Sequence, residues 1–357
     1  MTLPDLCLPA LAPLLGAALL ICMGTLEAAA ADDLTWKDGT ALTLEGKGWT
    51  ATEAPYDRLP AKAKGVVRDP VWDLSRDSAG MRVRFVTDAT EISVQWTLLN
   101  AGLAMPHMPA TGVSGVDLYA KQPDGRWVFV ANGGPGGLSN GATFHAGGAK
   151  EYALYLPLYN GTTALRIGVP NGAKLEPAAP AGGKPVVFYG TSITQGGCAS
   201  RPGMAGVAIV GRLLDVPTIN LGFSGNGIME PEMVDLLVEL DPSVYVLDSL
   251  WNMGPDLVAE RLEPCIRKLR AAHPDTPIVV AEDSSVRNEV PTVKGKIAKA
   301  VCIKLAAEGI QGLSFISADG MLGTDTEATV DGCHHTDLGF ARQAEVLARD
   351  LKPILAK

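Results

Sequence analysis

The chain has 357 residues, 47% of them hydrophobic and 19% charged, which excludes a disordered polymer and leaves room for two cored units. Its formal net charge of −9, with no Lys/Arg cluster, excludes a nucleic-acid surface, which needs a basic stripe. The 40 glycines and 25 prolines imply many turns and at least one β-rich part.

The first segment reads as a leader. Leu6 to Leu26 is almost wholly apolar, and Ala28 to Ala31 offer small residues to a signal peptidase. The expectation is a signal peptide over 1–31 and a secreted or periplasmic protein. The start carries Asp5 and no Lys or Arg, and the apolar run is long enough for a membrane anchor, so an uncleaved anchor and a mis-chosen start codon stay open. No later stretch is long and apolar enough to span a bilayer. Cys7 and Cys22 belong to the leader. Cys198, Cys265, Cys302 and Cys333 show no C-x-x-C spacing, which argues against a zinc or redox motif. Cys265 and Cys302 fall on expected helices as buried thiols, and Cys198 and Cys333 read as free; in an oxidising compartment the four could instead pair in three ways, which the sequence leaves open.

Residues 32–176 read as β. Met81 to Val86 and Glu91 to Trp96 alternate apolar and polar positions. Val116 to Tyr119 and Arg126 to Val130 follow, joined by the turn residues Gln122-Pro-Asp-Gly125. Tyr152 to Pro157 and Ala164 to Gly168 close the set. Short strands with regular turn signals predict a jelly-roll-like sandwich. Pro177-Ala-Ala-Pro-Ala-Gly-Gly-Lys184 is a linker by composition.

Residues 184–357 read as β-α-β. Five short apolar runs stand out: Val186–Tyr189, Thr218–Leu221, Val244–Leu247, Ile278–Val280 and Leu313–Ile316. Between them, Met233, Leu236, Leu237 and Leu240 have helical spacing. This alternation predicts a five-stranded parallel sheet covered by helices. In such sheets, sites gather at the carboxyl ends of the strands.

The chemistry-bearing residues fall at those ends. The first strand runs into Tyr189-Gly-Thr-Ser-Ile-Thr-Gln195, where Ser192 can face a cleft. The second runs into Asn220-Leu-Gly-Phe-Ser-Gly-Asn-Gly227, where Gly225 can offer a backbone N–H. The third runs into Asp248-Ser-Leu-Trp-Asn-Met253, where Asn252 can offer a side-chain amide. Late in the chain stands Asp331-Gly-Cys-His-His-Thr-Asp337. Its Asp331 and His334, three apart, can orient an imidazole within one loop, and that imidazole can activate Ser192. Alone, each piece reads as readily as a cap or a turn. The paired His334 and His335, with two aspartates near, also keep a metal-binding reading open.

Taken in order, Ser192, Gly225, Asn252 and Asp331 with His334 resemble the four blocks of the SGNH hydrolase superfamily, the GDSL-like lipases and acylhydrolases. The resemblance covers Lys184 to the C-terminus. It implies a flavodoxin-like three-layer α/β fold, with an oxyanion hole from the Ser192 N–H, the Gly225 N–H and the Asn252 amide. Gly115-Val-Asp-Leu-Tyr119 resembles the motif of the small N-terminal domain found in one bacterial branch. The chain departs from the pattern in three places. The serine block is Gly-Thr-Ser-Ile-Thr, Asn252 lacks its usual Gly-x-Asn-Asp surroundings, and His335 replaces a common proline.

The expected activity is ester hydrolysis through a Ser192–His334–Asp331 triad and an acyl-enzyme, with no cofactor and no metal. The expected substrate is a carbohydrate or small ester carrying acetyl or another short acyl group. An acyltransferase with the same triad and a non-catalytic carbohydrate-binding protein are the alternatives. Arg201, His107 and Met108 are expected substrate contacts. No nucleic-acid partner is expected, nor any membrane association once the leader is removed. Oligomeric state is not legible.

Overall fold

The structure, a computed structural model, describes residues 33–148, 150–287 and 289–356. The expected leader lies outside them. Among the described residues no helix is long and apolar enough to cross a membrane.

Ten strands form the first part: β1 (Leu34–Asp38), β2 (Thr43–Glu45), β3 (Arg82–Thr87), β4 (Glu91–Leu98), β5 (Val116–Lys121), β6 (Trp127–Gly133), β7 (Ser139–His145), β8 (Glu151–Tyr155), β9 (Thr162–Pro170) and β10 (Leu175–Pro177). They make two antiparallel sheets, β1-β9-β4-β7 and β10-β3-β8-β5-β6, with β2 also paired to β3. Alternation places Ile92, Val94 and Trp96 of β4 inward, against Val83, Phe85, Leu118 and Leu154 of the facing sheet. The outer face of that second sheet is covered as well, because Tyr119, Ala153 and Tyr155 pack on Ala208 of the other part. This double burial explains why β5 and β8 show little alternation in exposure.

The parallel sheet has the order β12-β11-β13-β14-β15, from β11 (Val186–Gly190), β12 (Thr218–Gly222), β13 (Val244–Asp248), β14 (Ile278–Ala281) and β15 (Leu313–Ile316). All five lie on the expected apolar runs. One short helix, α1 (Asp69–Ser75), precedes β3, and another, α2 (Ala110–Val113), precedes β5. After β11 come α3 (Ser192–Gln195), α4 (Gly206–Leu214), α5 (Pro231–Leu237), α6 (Pro255–Ala272), α7 (Val293–Ala307) and α8 (Asp337–Leu355). Residues of α4 and α8 cover one face of the sheet, around Val186, Phe188 and Val246. Residues of α5, α6 and α7 cover the other, around Val187, Tyr189 and Leu247.

Between β2 and β3 the chain leaves the sandwich. Leu59, Ala63, Val67, Val71 and Trp72 are buried in the same cluster as Leu221, Phe223 and Met233 of the α/β part. Arg58, fully buried beside them, donates to the carbonyls of Asp77, Leu74 and Gly222 at 2.6–2.9 Å. Burial lowers its guanidinium to about 10. Local periodicity could not reveal this excursion, because it reads which face is apolar and not which body that face meets.

Candidate active site

The first three strand ends lie side by side, since β11 is flanked by β12 and β13. Ser192 opens α3 directly after β11. Thr191 caps the turn, and Thr194 returns the favour by accepting from the Thr191 N–H at 3.0 Å. Thr194 Oγ1 also donates to Asp248 Oδ2 at 2.7 Å. Asp248 is fully buried, and desolvation pushes its carboxyl up to about 7 despite that bond. Gln195 ties the turn on its other side. Its amide donates to Asp77 Oδ2 (2.9 Å) and Leu158 O (3.0 Å), and its oxygen accepts from the Ser224 N–H (3.0 Å). Tyr159 OH donates to Ser192 O at 3.2 Å. Three of these partners (Asp77, Leu158 and Tyr159) come from the sequence before the linker.

Asp331 and His334 sit on the long connection from β15 to α8. Asp331 Oδ1 accepts the backbone N–H groups of Cys333 (2.9 Å) and His334 (2.8 Å). Its Oδ2 meets His334 Nδ1 at 2.7 Å, and His334 Nε2 meets Ser192 Oγ at 2.9 Å. Desolvation works to raise the Asp331 carboxyl, but the hydrogen bonds from the His334 ring and backbone outweigh it and hold it at about 2. The structure therefore joins all three residues in one chain of contacts.

Gly225 lies on the exposed loop after β12 at φ +69, with open space where a side chain would stand. Asn252 ends a short turn after β13, and its Oδ1 accepts from the Gly227 N–H at 3.3 Å. That contact engages the amide oxygen. Among the described residues, the N–H groups of Ser192 and Gly225 have no protein acceptor. Gly227 is required by packing, since a Cβ there would lie 1.9 Å from Gly190 O.

The other expected contacts divide. His107 is exposed, with its ring centroid 6.2 Å from that of His334, so the sandwich brings a side chain to the triad. Its loop is closed by reciprocal backbone bonds between Met105 and Met108 (3.0 and 3.1 Å). Met108, expected at the substrate, is instead buried with Leu158, Ile193 and Phe340. Arg201, also expected at the substrate, is instead committed to the sandwich. It donates to Asp117 Oδ2 (2.9 Å) and Tyr119 OH (2.8 Å), and its guanidinium lies 3.8 Å over the Phe129 ring. Asp117 also accepts the Gly203 N–H at 2.7 Å, so the Gly-Val-Asp-Leu-Tyr motif is a staple between the two parts. His335 is fully buried, stacked on Phe340 (5.2 Å), and neither ring nitrogen has a hydrogen-bond partner. Burial first, and His334 second, lower it to about 3, which keeps it neutral. Among the described residues no group of three or more His, Cys, Asp or Glu is placed to hold a metal ion. Cys198, Cys265, Cys302 and Cys333 are free thiols.

The parallel sheet has the order 2-1-3-4-5, and a Ser–His–Asp chain of contacts stands at its carboxyl ends, the geometry a serine hydrolase uses. Residues 183–352 match the GDSL-like Lipase/Acylhydrolase family, and residues 34–175 match the GxDLY family, the N-terminus of Esterase_SGNH_hydro-type. A protein from Bacteroides ovatus described as a GDSL-like lipase is 33% identical, with a TM-score of 0.84 over 90% of this chain and 98% of that one. The chain belongs to the GDSL-like lipase/acylhydrolase (SGNH) family, with an N-terminal GxDLY domain. Two more distant structures share the fold. The salicylyl-acyltransferase SsfX3 of a tetracycline biosynthetic pathway is 19% identical, with a TM-score of 0.73 over 91% of this chain and 98% of that one. A family two carbohydrate esterase from Clostridium thermocellum, in complex with cellohexaose, is 14% identical, with a TM-score of 0.55 over 78% of this chain and 93% of that one. No curated protein matches the chain.

Proposed function

We propose that the protein is a serine ester hydrolase that removes short acyl groups from carbohydrate esters. The observation that carries this reading is the unbroken contact chain Ser192 Oγ–His334 Nε2–His334 Nδ1–Asp331 Oδ2, at 2.9 and 2.7 Å. Ser192 Oγ attacks the ester carbonyl while His334 takes its proton, and Asp331 balances the imidazolium. The carbonyl oxygen, now negative, is received by the Ser192 N–H, the Gly225 N–H and the Asn252 NH2. His334 returns the proton to the departing alcohol, leaving an acyl group on Ser192. Water, deprotonated by His334, then releases the acid and restores the serine. The carbohydrate assignment is supported by the fold shared with family two carbohydrate esterases. We further place the enzyme outside the cytoplasm, on the strength of the apolar leader; N-terminal sequencing of the mature protein tests this.

The test is hydrolysis of 4-nitrophenyl acetate, butyrate and octanoate by wild type and Ser192→Ala. The expected result is activity strongest on acetate and lost by about 10⁶ in kcat in the variant. Residual esterase activity in Ser192→Ala near the wild-type level would sink the mechanism. A transferase is the second reading, favoured by the whole-chain likeness to an acyltransferase. It predicts acylated sugar rather than free acid when a sugar acceptor is present.

A further inference from the structure

The loop after β14 does more than follow a strand. It clasps the triad loop at Gly332, whose carbonyl accepts from the Val286 N–H (3.2 Å) and from Ser285 Oγ (2.9 Å). Arg287 lies over the same glycine, where a Cβ would stand 2.8 Å from Arg287 Nε, and its Nη2 donates to Asp331 O at 3.0 Å. Beyond Arg287 opens a pocket lined by Pro255, Arg287, Glu289, Val293, Lys294 and Lys296. Its lining includes Arg287, which bonds the triad loop, and Pro255, which opens the helix after the Asn252 turn.

The charges in this pocket are unequal in availability. Lys294 is spent, paired with Asp283 at 2.8 Å and donating to Leu250 O at 2.6 Å. Among the described residues Arg287 and Lys296 meet no carboxylate, although the chain as a whole is acidic. Glu289 shares the lining, so the pocket is not a uniform positive field. What it offers an anion is the fork of Arg287, held in place by Gly332 and the Asp331 carbonyl, with Lys296 as a second charge. A planar guanidinium held this way suits a carboxylate. Val286, Val290 and Val293 are exposed on the same segment and give an apolar rim. His334 and Asp331 stand between Ser192 and Arg287, which sets the anion apart from the reacting carbonyl.

We propose that this pocket is a subsite for a carboxylate-bearing sugar, and that the enzyme's natural ester is carried on an acidic oligosaccharide of uronate type. The assignment rests on the esterase reading only in placing the ester at Ser192. Its test is binding, in the Ser192→Ala background so that nothing is hydrolysed. Calorimetry compares trigalacturonate with its fully methyl-esterified form, which keeps the sugars and removes the charges. The expected result is about tenfold tighter binding of the charged form, narrowing in 0.5 M NaCl. Lys296→Glu, on the exposed side of α7, and Arg287→Gln should each bring the two ligands near parity, with thermal midpoints confirming that both variants are folded. Equal binding of the two forms, no binding of either, or a preference that survives both substitutions overturns the proposal. A charge preference abolished by the substitutions, together with a wild-type protein that fails to hydrolyse any of the 4-nitrophenyl esters, counts against the esterase reading and leaves the subsite standing.

Discussion

The turn that carries Ser192 and the loop that carries Asp331 and His334 meet at one hydrogen bond, and they are held by different means. Ser192 is 6% exposed, and its turn is pinned by Asp248 through Thr194, by Asp77, Leu158 and Ser224 through Gln195, and by Tyr159. The Asp331 side chain is 50% exposed, and its loop is held by its own backbone and by the segment after β14. The nucleophile takes its position from the sheet and the sandwich together. The base takes its orientation from three residues of local sequence. The first arrangement is costly to disturb for folding, the second for chemistry.

Substitutions on the two sides should separate these roles. Asp331→Asn should lower kcat by about 10⁴, because the imidazole loses its charge partner and its tautomer; steady-state kinetics with unchanged thermal stability checks this. In the wild type the Asp331 carboxyl, held at about 2, stays ionised through the useful pH range. Acidification should therefore cost activity without a proton on Asp331, and a two-proton acid limb in kcat/KM would contradict that. Asn252→Ala should cost about 10²–10³ in kcat if its amide serves the oxyanion; a change confined to KM would assign it to substrate binding instead.

Two glycines sharpen the contrast in stability. Gly227→Ala drives a methyl into the backbone beneath Ser192 and should cost about 3 kcal/mol. Gly225→Ala has open space and should cost about 1 kcal/mol from its positive φ alone. Chemical denaturation of both variants distinguishes them. A pH-dependent effect on stability concerns His335. Its folded-state value, about 3, lies below the ordinary 6.5, so the unfolded chain binds the extra proton between those values. Stability is then full above about pH 6.5 and falls as pH drops through that window. His335→Leu should flatten the acid side of a melting-temperature profile.

Much of this was legible in the sequence. The five parallel strands were found as short apolar runs, because strands covered on both faces need no alternation. The site blocks were found because strand ends concentrate chemistry. The strand β7 was not expected; its Ser-Asn-Gly-Ala-Thr-Phe-His is too polar and glycine-rich to announce an edge strand. Arg201 was misread because it lies near the Ser192 block in sequence while its side chain turns to Asp117 of a distant segment; Met108, near no site block, was misread because a methionine in a loop carries no sign of being buried. Gln195 and Asp248 were passed over because a polar residue in a strand-end turn carries no sign of being buried. Their role as supports for Ser192 emerges only when Asp77 and Leu158 are seen beside them.

The excursion through Leu59 and Trp72 has a consequence for how the chain comes into being. These residues leave the ribosome long before Leu221, Phe223 and Met233, against which they are buried. The amino-terminal half therefore emerges with an apolar surface whose cover has yet to be synthesised, and that surface must wait, shielded or exposed to aggregation, until the second half arrives. A gene cut at the glycine- and proline-rich joint would leave both fragments with unfinished cores, so the two halves should be exchanged between relatives only as a pair.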